Sequence, residues 1–248
     1  MSQYHRSTLF ARLLMYFIRN RQERANQFMA IEVTVGPPQI TINRDNTFVL
    51  SEPDGSISAY TDQGFYSRDT RYVSKYEFYA DGERWVLQNS GAIAYYASRA
   101  YLVNPQIRTE YGEIEPSTLS LVFTRAVNEG IVEEFEITNY GMKRVRFNFE
   151  IGLRTDFADI FEVKSKQVIR KGHVTTAWVA DNRQLISRYE HDGFVRALMS
   201  VVVKSDCTPI FNNGRVSFGI DLEPGAVWRR RSIPRSELCE RLRERNRT

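Results

Sequence analysis

Between Pro37 and Leu222 apolar and polar residues alternate in short runs, which is the period of strands and not of helices. The clearest run lies mid-chain. Leu119, Leu121 and Phe123 alternate with Ser120, Val122 and Thr124, and Asn128-Glu129-Gly130 then turns the chain. Ile131, Glu133, Phe135 and Ile137 follow on alternate positions, then a turn at Tyr140-Gly141-Met142-Lys143, then Val145, Phe147, Phe149, Ile151 and Leu153. Together these predict a three-stranded meander with one wet face.

Shorter strands are expected on both sides. Upstream they fall at Gln39 to Asn43, Thr47 to Leu50, Ile57 to Tyr60, Tyr72 to Ala80, Arg84 to Gln88 and 92–103, the last bent near Ser98. Asp81-Gly82 is a two-residue hairpin signal between the fourth and fifth of these. Downstream they fall at Val163 to Lys171, Val174 to Asp181, Gln184 to Glu190, Phe194 to Lys204 and Arg215 to Leu222, with His191-Asp192-Gly193 and Asn212-Asn213-Gly214 as turns. No long helical period occurs in this span. The expected fold is all-β: a large antiparallel β-sandwich of two packed sheets over 37–228.

The two ends break the pattern. Leu9, Leu13 and Phe17, with Phe10, Leu14 and Ile18 beside them, predict a short amphipathic helix in a basic segment, 1–36. Its apolar run is too short for a membrane span, and packing on its own domain is favoured over membrane contact. After Trp228 the chain reads as an Arg-rich polar tail, 229–248, or as a truncated or frameshifted continuation of a longer protein.

Charge follows the same division. The net +4 of the chain is made of +4 in residues 1–24 and +5 in 229–248, which leaves −5 on the body. A nucleic-acid surface is therefore not inferred from the average, and an interaction protein docking through its basic ends is kept as an alternative. Cys207 and Cys239 lie far apart, which fits a reducing cytoplasm better than a disulfide framework. His5, His173 and His191 form no ligand spacing with them, so neither a metal nor a cofactor is expected.

Candidate chemistry gathers in two places. Gly64 to Tyr76, GFYSRDTRYVSKY, packs charges, hydroxyls and aromatics at the mouth of a strand, a common position for binding residues. An ion pair of Arg68 or Arg71 with Asp69 that only ties down the loop explains the same residues. Asp156 and Asp159 lie at the end of the 145–153 strand. Glycoside hydrolysis uses two carboxyl groups about 5 to 9.5 Å apart, whereas Asp156 as a helix N-cap with Asp159 three residues on has the spacing of a capping box. The capping reading is preferred. Tyr60, Phe65, Tyr66, Trp85, Tyr95, Tyr96 and Tyr101 are candidates for a sugar-stacking platform, with burial in the core as the favoured reading of each.

The segment Gly64-Phe65-Tyr66-Ser67-Arg68-Asp69-Thr70-Arg71-Tyr72-Val73-Ser74, after the Phe48-Val49-Leu50 strand and Asp54-Gly55-Ser56-Ile57, resembles the amino-terminal domain of bacterial and archaeal glycogen debranching enzymes of the amylo-α-1,6-glucosidase type. Asp156-Phe157-Ala158-Asp159-Ile160-Phe161-Glu162-Val163 resembles that domain's second signature, and Asn139 fits the strand between them. The resemblance spans about Pro37 to Trp228. It implies a β-sandwich that precedes an (α/α)6 barrel carrying the catalytic acids, and nothing here matches those acids. No catalytic residue is therefore expected in this chain, which is read as the module of a glycoside hydrolase that is inactive alone. Its partner is a barrel, in the same protein or on a separate chain, with α-glucan as a further ligand. Phe65, Asp69, Thr70, Arg71, Asp156, Phe157 and Asp159 are the residues expected to face barrel or glucan, or to brace the sandwich, and Asp69 to Arg71 is expected to contact the 156–159 loop. A free-standing glucan-binding module is the alternative.

Overall fold

A computed structural model describes residues 38–239 apart from 129, 168–171 and 213. The expected amphipathic helix of 1–36 lies outside the described residues, as does 240–248.

Alternating runs become strands wherever one set of alternate residues finds an apolar layer. The larger sheet has eight strands in the order β14-β15-β16-β19-β12-β11-β8-β7. They are β7 (Val86–Ala94), β8 (Ala97–Val103), β11 (Leu119–Val127), β12 (Ile131–Asn139), β14 (His173–Val179), β15 (Gln184–His191), β16 (Phe194–Ser205) and β19 (Val227–Cys239). The second sheet has the order β17-β18-β13-β5-β6 and contains β5 (Lys75–Ala80), β6 (Glu83–Arg84), β13 (Val145–Arg154), β17 (Ile210–Asn212) and β18 (Arg215–Leu222). A four-stranded sheet of β1 (Ile40–Arg44), β2 (Thr47–Ser51), β3 (Gly64–Ser67) and β4 (Thr70–Val73) is added in sequence order, and β9 (Ile107–Thr109) pairs with β10 (Gly112–Ile114). All named pairings are antiparallel.

Phenylalanines from the two large sheets meet in the core. Phe78 and Phe149 of the second sheet lie 5.4 and 5.1 Å from Phe135 of the larger one, which stacks on Phe123 at 4.5 Å. Each such side chain contributes about 1.5 to 3 kcal/mol by leaving water. The core also holds an ion pair. Arg125 Nε donates to Glu133 Oε1 at 2.9 Å, Tyr76 Oη donates to Glu133 Oε2 at 2.7 Å, and Arg125 Nη1 reaches the Gly55 carbonyl at 2.8 Å. Burial, reinforced by the Glu133 charge, pushes the Tyr76 phenol well above its ordinary value. Gly55, at φ +90°, fits under this cluster because an added Cβ would come within 2.3 Å of the Phe123 ring.

The hairpin at Asp81-Gly82 forms as expected, with φ of 44° and 83° and Ala80 opposite Glu83. Several expectations are corrected. The three central strands are not a meander: β11 pairs with β12, but β13 joins β5 and β18 in the other sheet. Buried Asn139 holds this crossing, donating to the carbonyls of Lys143 and Leu222 and accepting from the Gly141 amide. The expected 72–80 strand is interrupted at Ser74, and Trp85 divides 84–88 where the chain passes from the second sheet to the larger one. Ile57–Tyr60 reduces to one bridge, Ile57 with Tyr76, and the 92–103 bend is a tight turn at Tyr95-Tyr96. In place of a strand from Val163 there is a short helix, α1 (Ile160–Lys164).

The Arg-rich tail expected from 229 is also corrected, since residues 229–239 continue β19, which pairs with β12 as far as Ser232 and with β16 from Arg230 to Cys239. Its arginines suit both faces of the strand. Arg229 and Arg231 point outward to Glu136 and Glu134 of β12, at 2.8 and 3.3 Å. Arg230 is buried, with its guanidinium over the Phe135 and Phe218 rings at 5.3 and 5.0 Å.

Candidate functional site

The two sequence clusters form one joint. β3 and β4 are a hairpin in which Ser67 faces Thr70, so Arg68 and Asp69 are its two turn residues, at φ 47° and 63°. This left-handed pair turns the chain without glycine. The segment after β13 then runs beside β4. Thr70 bridges Asp159, the Arg71 amide donates to the Ala158 carbonyl at 2.8 Å, and the Ile160 amide donates to the Asp69 carbonyl at 2.9 Å.

Arg71 closes the joint from inside. Its Nε lies 3.2 Å from both Asp156 carboxylate oxygens, its Nη2 lies 2.5 Å from Oδ2, and its Nη1 donates to the carbonyls of Thr61 and Gln63 at 2.8 and 3.3 Å. Burial pulls the guanidinium pKa down, but the hydrogen bonds and charge of Asp156 outweigh it and leave the pKa above its ordinary value. The expected contact between Asp69–Arg71 and the 156–159 loop is present, and Arg71 takes Asp156, not Asp69, as its partner. Gly64 opens the motif for a steric reason: a Cβ there would lie 2.6 Å from Arg71 Cδ and 2.8 Å from the Val73 carbonyl.

Both candidate carboxylates are already committed. Asp156 is held by Arg71 and accepts the Ala158 amide at 3.3 Å. Asp159 is the N-cap of α1, accepting from the Phe161 amide at 2.8 Å, while Glu162 accepts from the Asp159 amide at 3.0 Å. The capping box thus exists, three residues later than the expected Asp156–Asp159 pair. Phe157, at φ 53°, buries its ring between Tyr72 and Tyr189 at 5.6 and 5.8 Å, and Phe65 is buried 5.9 Å from Tyr72. Thr70 is also buried, so of the seven candidates only Asp69 is fully exposed, with Asp156 and Asp159 half-buried.

The expected aromatic platform divides. Phe65, Tyr66 and Trp85 belong to the interior, whereas Tyr60 is 99% exposed and Tyr95, Tyr96 and Tyr101 are open to solvent. Tyr60, at φ 65°, edges a depression of about 880 Å³ beside the joint, with Thr61, Lys75, Arg154, Lys166 and Thr176 around it. Sequence reasoning missed Gln63, which is buried, accepts from the Ser58 amide at 2.8 Å and donates to Glu52 at 2.7 Å, ordering the loop that carries Tyr60. A lone glutamine in a polar loop carries no signal of this. Phe161, on the open side of α1, is 75% exposed and was not singled out either.

Residues 42–232 match the family described as the N-terminal domain of (some) glycogen debranching enzymes. The chain belongs to this family. The matched span includes both halves of the joint, so the debranching-enzyme domain accounts for 64–71 and 156–159 together. Among solved structures, a chain described as a kojibiose phosphorylase from human microbiome superposes with a TM-score of 0.55 at 7% identity, over 83% of this chain and 30% of that one. At that identity the likeness is one of fold, and the present chain spans less than a third of the phosphorylase. A galactose mutarotase-like protein from Lactobacillus casei gives a TM-score of 0.46 at 8% identity, over 81% of this chain and all of the other. A comparison with curated proteins finds no match.

Proposed function

We propose that this chain is the noncatalytic β-sandwich module of a glycogen-debranching-type glycoside hydrolase, acting in α-glucan metabolism beside an (α/α)6 barrel that supplies the catalytic acids. The family match carries the assignment to this class of module. The engagement of both Asp156 and Asp159 inside the joint supports the noncatalytic part, because a general acid and base need carboxyl groups free to reach substrate. In this reading the buried residues of the joint, Phe65, Thr70, Arg71 and Phe157, brace the sandwich, while Tyr60, Asp69 and Phe161 form the surface offered to the barrel. A cytoplasmic location accords with the two widely separated cysteines. The purified chain is expected to release no glucose from branched limit dextrin, and to bind a debranching-enzyme barrel domain supplied in trans. Turnover by the chain alone would overturn the reading.

The exposed Tyr60 favours a second reading, a glucan-binding module, since its open aromatic face lies beside hydroxyl and cationic groups at the depression. Calorimetric titration with maltooligosaccharides separates the two. Heat that disappears in Tyr60→Ala supports glucan binding, and no heat supports the scaffold alone.

A further inference from the structure

Among the described residues the strand β7 closes one side of the eight-stranded sheet, with β1 meeting only the end of its hairpin, where the Asn43 amide donates to the Tyr95 carbonyl at 2.9 Å, and none of its nine residues is buried. An open edge invites pairing with another strand, and edges are normally blunted by charge, proline or shortness. The outermost strand β6 is only two residues long, and both are charged. At the far side of the larger sheet, β14 turns Trp178 onto Phe211 of β17, with the rings stacked at 6.1 Å. In contrast, β7 reads VLQNSGAIA, with no charge and no proline. Its pairing with β8 is irregular between Leu87 and Asn89 and between Ala92 and Ala94, which leaves Asn89–Ala92 as a regular central stretch.

The order of residues along β7 is close to self-complementary. Apolar pairs, Val86-Leu87 and Ile93-Ala94, flank a small and polar centre. Leu87 is 36% exposed and Ile93 57%. If two copies meet antiparallel about a two-fold axis at Ser90, Leu87 lies beside the partner's Ile93, Val86 beside the partner's Ala94, and Asn89 beside the partner's Gly91. No like charges oppose one another in this register, and both exposed apolar ends are covered. We propose that β7 is a self-association edge, through which two copies of this chain join their eight-stranded sheets into one continuous sheet. This inference is independent of the barrel and glucan readings.

Gly91 provides the test, because an added Cβ there meets nothing within 4 Å and its φ is not left-handed. In the proposed register Gly91 and the partner's Gly91 are diagonal neighbours on one face, about 7 to 8 Å apart. Sedimentation velocity of the full chain, from micromolar to several hundred micromolar, is expected to show a monomer–dimer equilibrium. Gly91→Lys and Gly91→Glu are each expected to weaken it about tenfold. An equimolar mixture of the two variants is expected to associate again, as oppositely charged pairs. Circular dichroism and the thermal midpoint confirm that each variant is folded. A monomer at every concentration, association unchanged in both variants, or a mixture no tighter than either variant alone would each overturn the proposal.

Discussion

Arg71 decides how the motif around it is used. All three of its guanidinium nitrogens are engaged, by Asp156 and two carbonyls, and both side chains of the ion pair are 10% exposed or less. Arg71→Ala leaves the Asp156 charge without its partner, and the expected loss is about 3 to 5 kcal/mol in urea denaturation. A loss below 1 kcal/mol would show that Arg71 is not the brace. Tyr76 gives a second residue-scale expectation. Its folded pKa lies above the ordinary tyrosine value, so its contribution is complete below pH 10 and lost as pH rises beyond that, when the unfolded phenol ionises and the folded one does not. Stability should fall by about 1.4 kcal/mol per pH unit above pH 10 from this group, and Tyr76→Phe should flatten that slope. The meeting of 69–71 with 156–159 was legible because both stretches are dense in charge at strand ends. Their burial was not, since an Arg–Asp pair looks the same in sequence whether it faces solvent or a core.

Elements were legible by type more readily than by neighbour. The runs at 119–124, 131–138 and 145–153 are strands as read, but alternation reports which face a residue takes and says nothing about the strand beside it. The exchange of sheets between β12 and β13 depends on one buried amide, Asn139, and so escaped a reading based on turns. The helix α1 was legible as a capped turn, but placed three residues too early. Asp-x-x-Asp at 156 and Asp-x-x-Glu at 159 both have capping spacing, and the second is the better match because glutamate reaches back to the N-cap amide. Asp159→Ala is expected to cost about 0.5 to 2 kcal/mol and to raise amide exchange locally in 160–164, measurable by hydrogen–deuterium exchange. Unchanged exchange there would remove the cap from the account. The strand at 229–239 was misread because five residues in seven, Arg229 to Arg235, are charged or hydroxylated apart from Ile233 and Pro234, whereas strand formation there rests on glutamates of β12 and phenylalanine rings.

For the whole molecule the position of β19 matters most. It lies between β12 and β16 and connects the strands that fall between the two halves of the joint in sequence with those that follow its second half. Removal of residues 227–248 is expected to convert a cooperative thermal transition into aggregation, read by light scattering on heating, because two interior edges would be left unpaired. A soluble, cooperatively folding deletion would show that the two halves of the sheet are independent. During synthesis the same arrangement has a temporal consequence. β12 leaves the ribosome nearly a hundred residues before the strand that will cover it, so the nascent chain carries an open edge through about a third of its translation. Folding of the larger sheet is therefore a late, long-range event, and the interval before it is when chaperones have the most to protect.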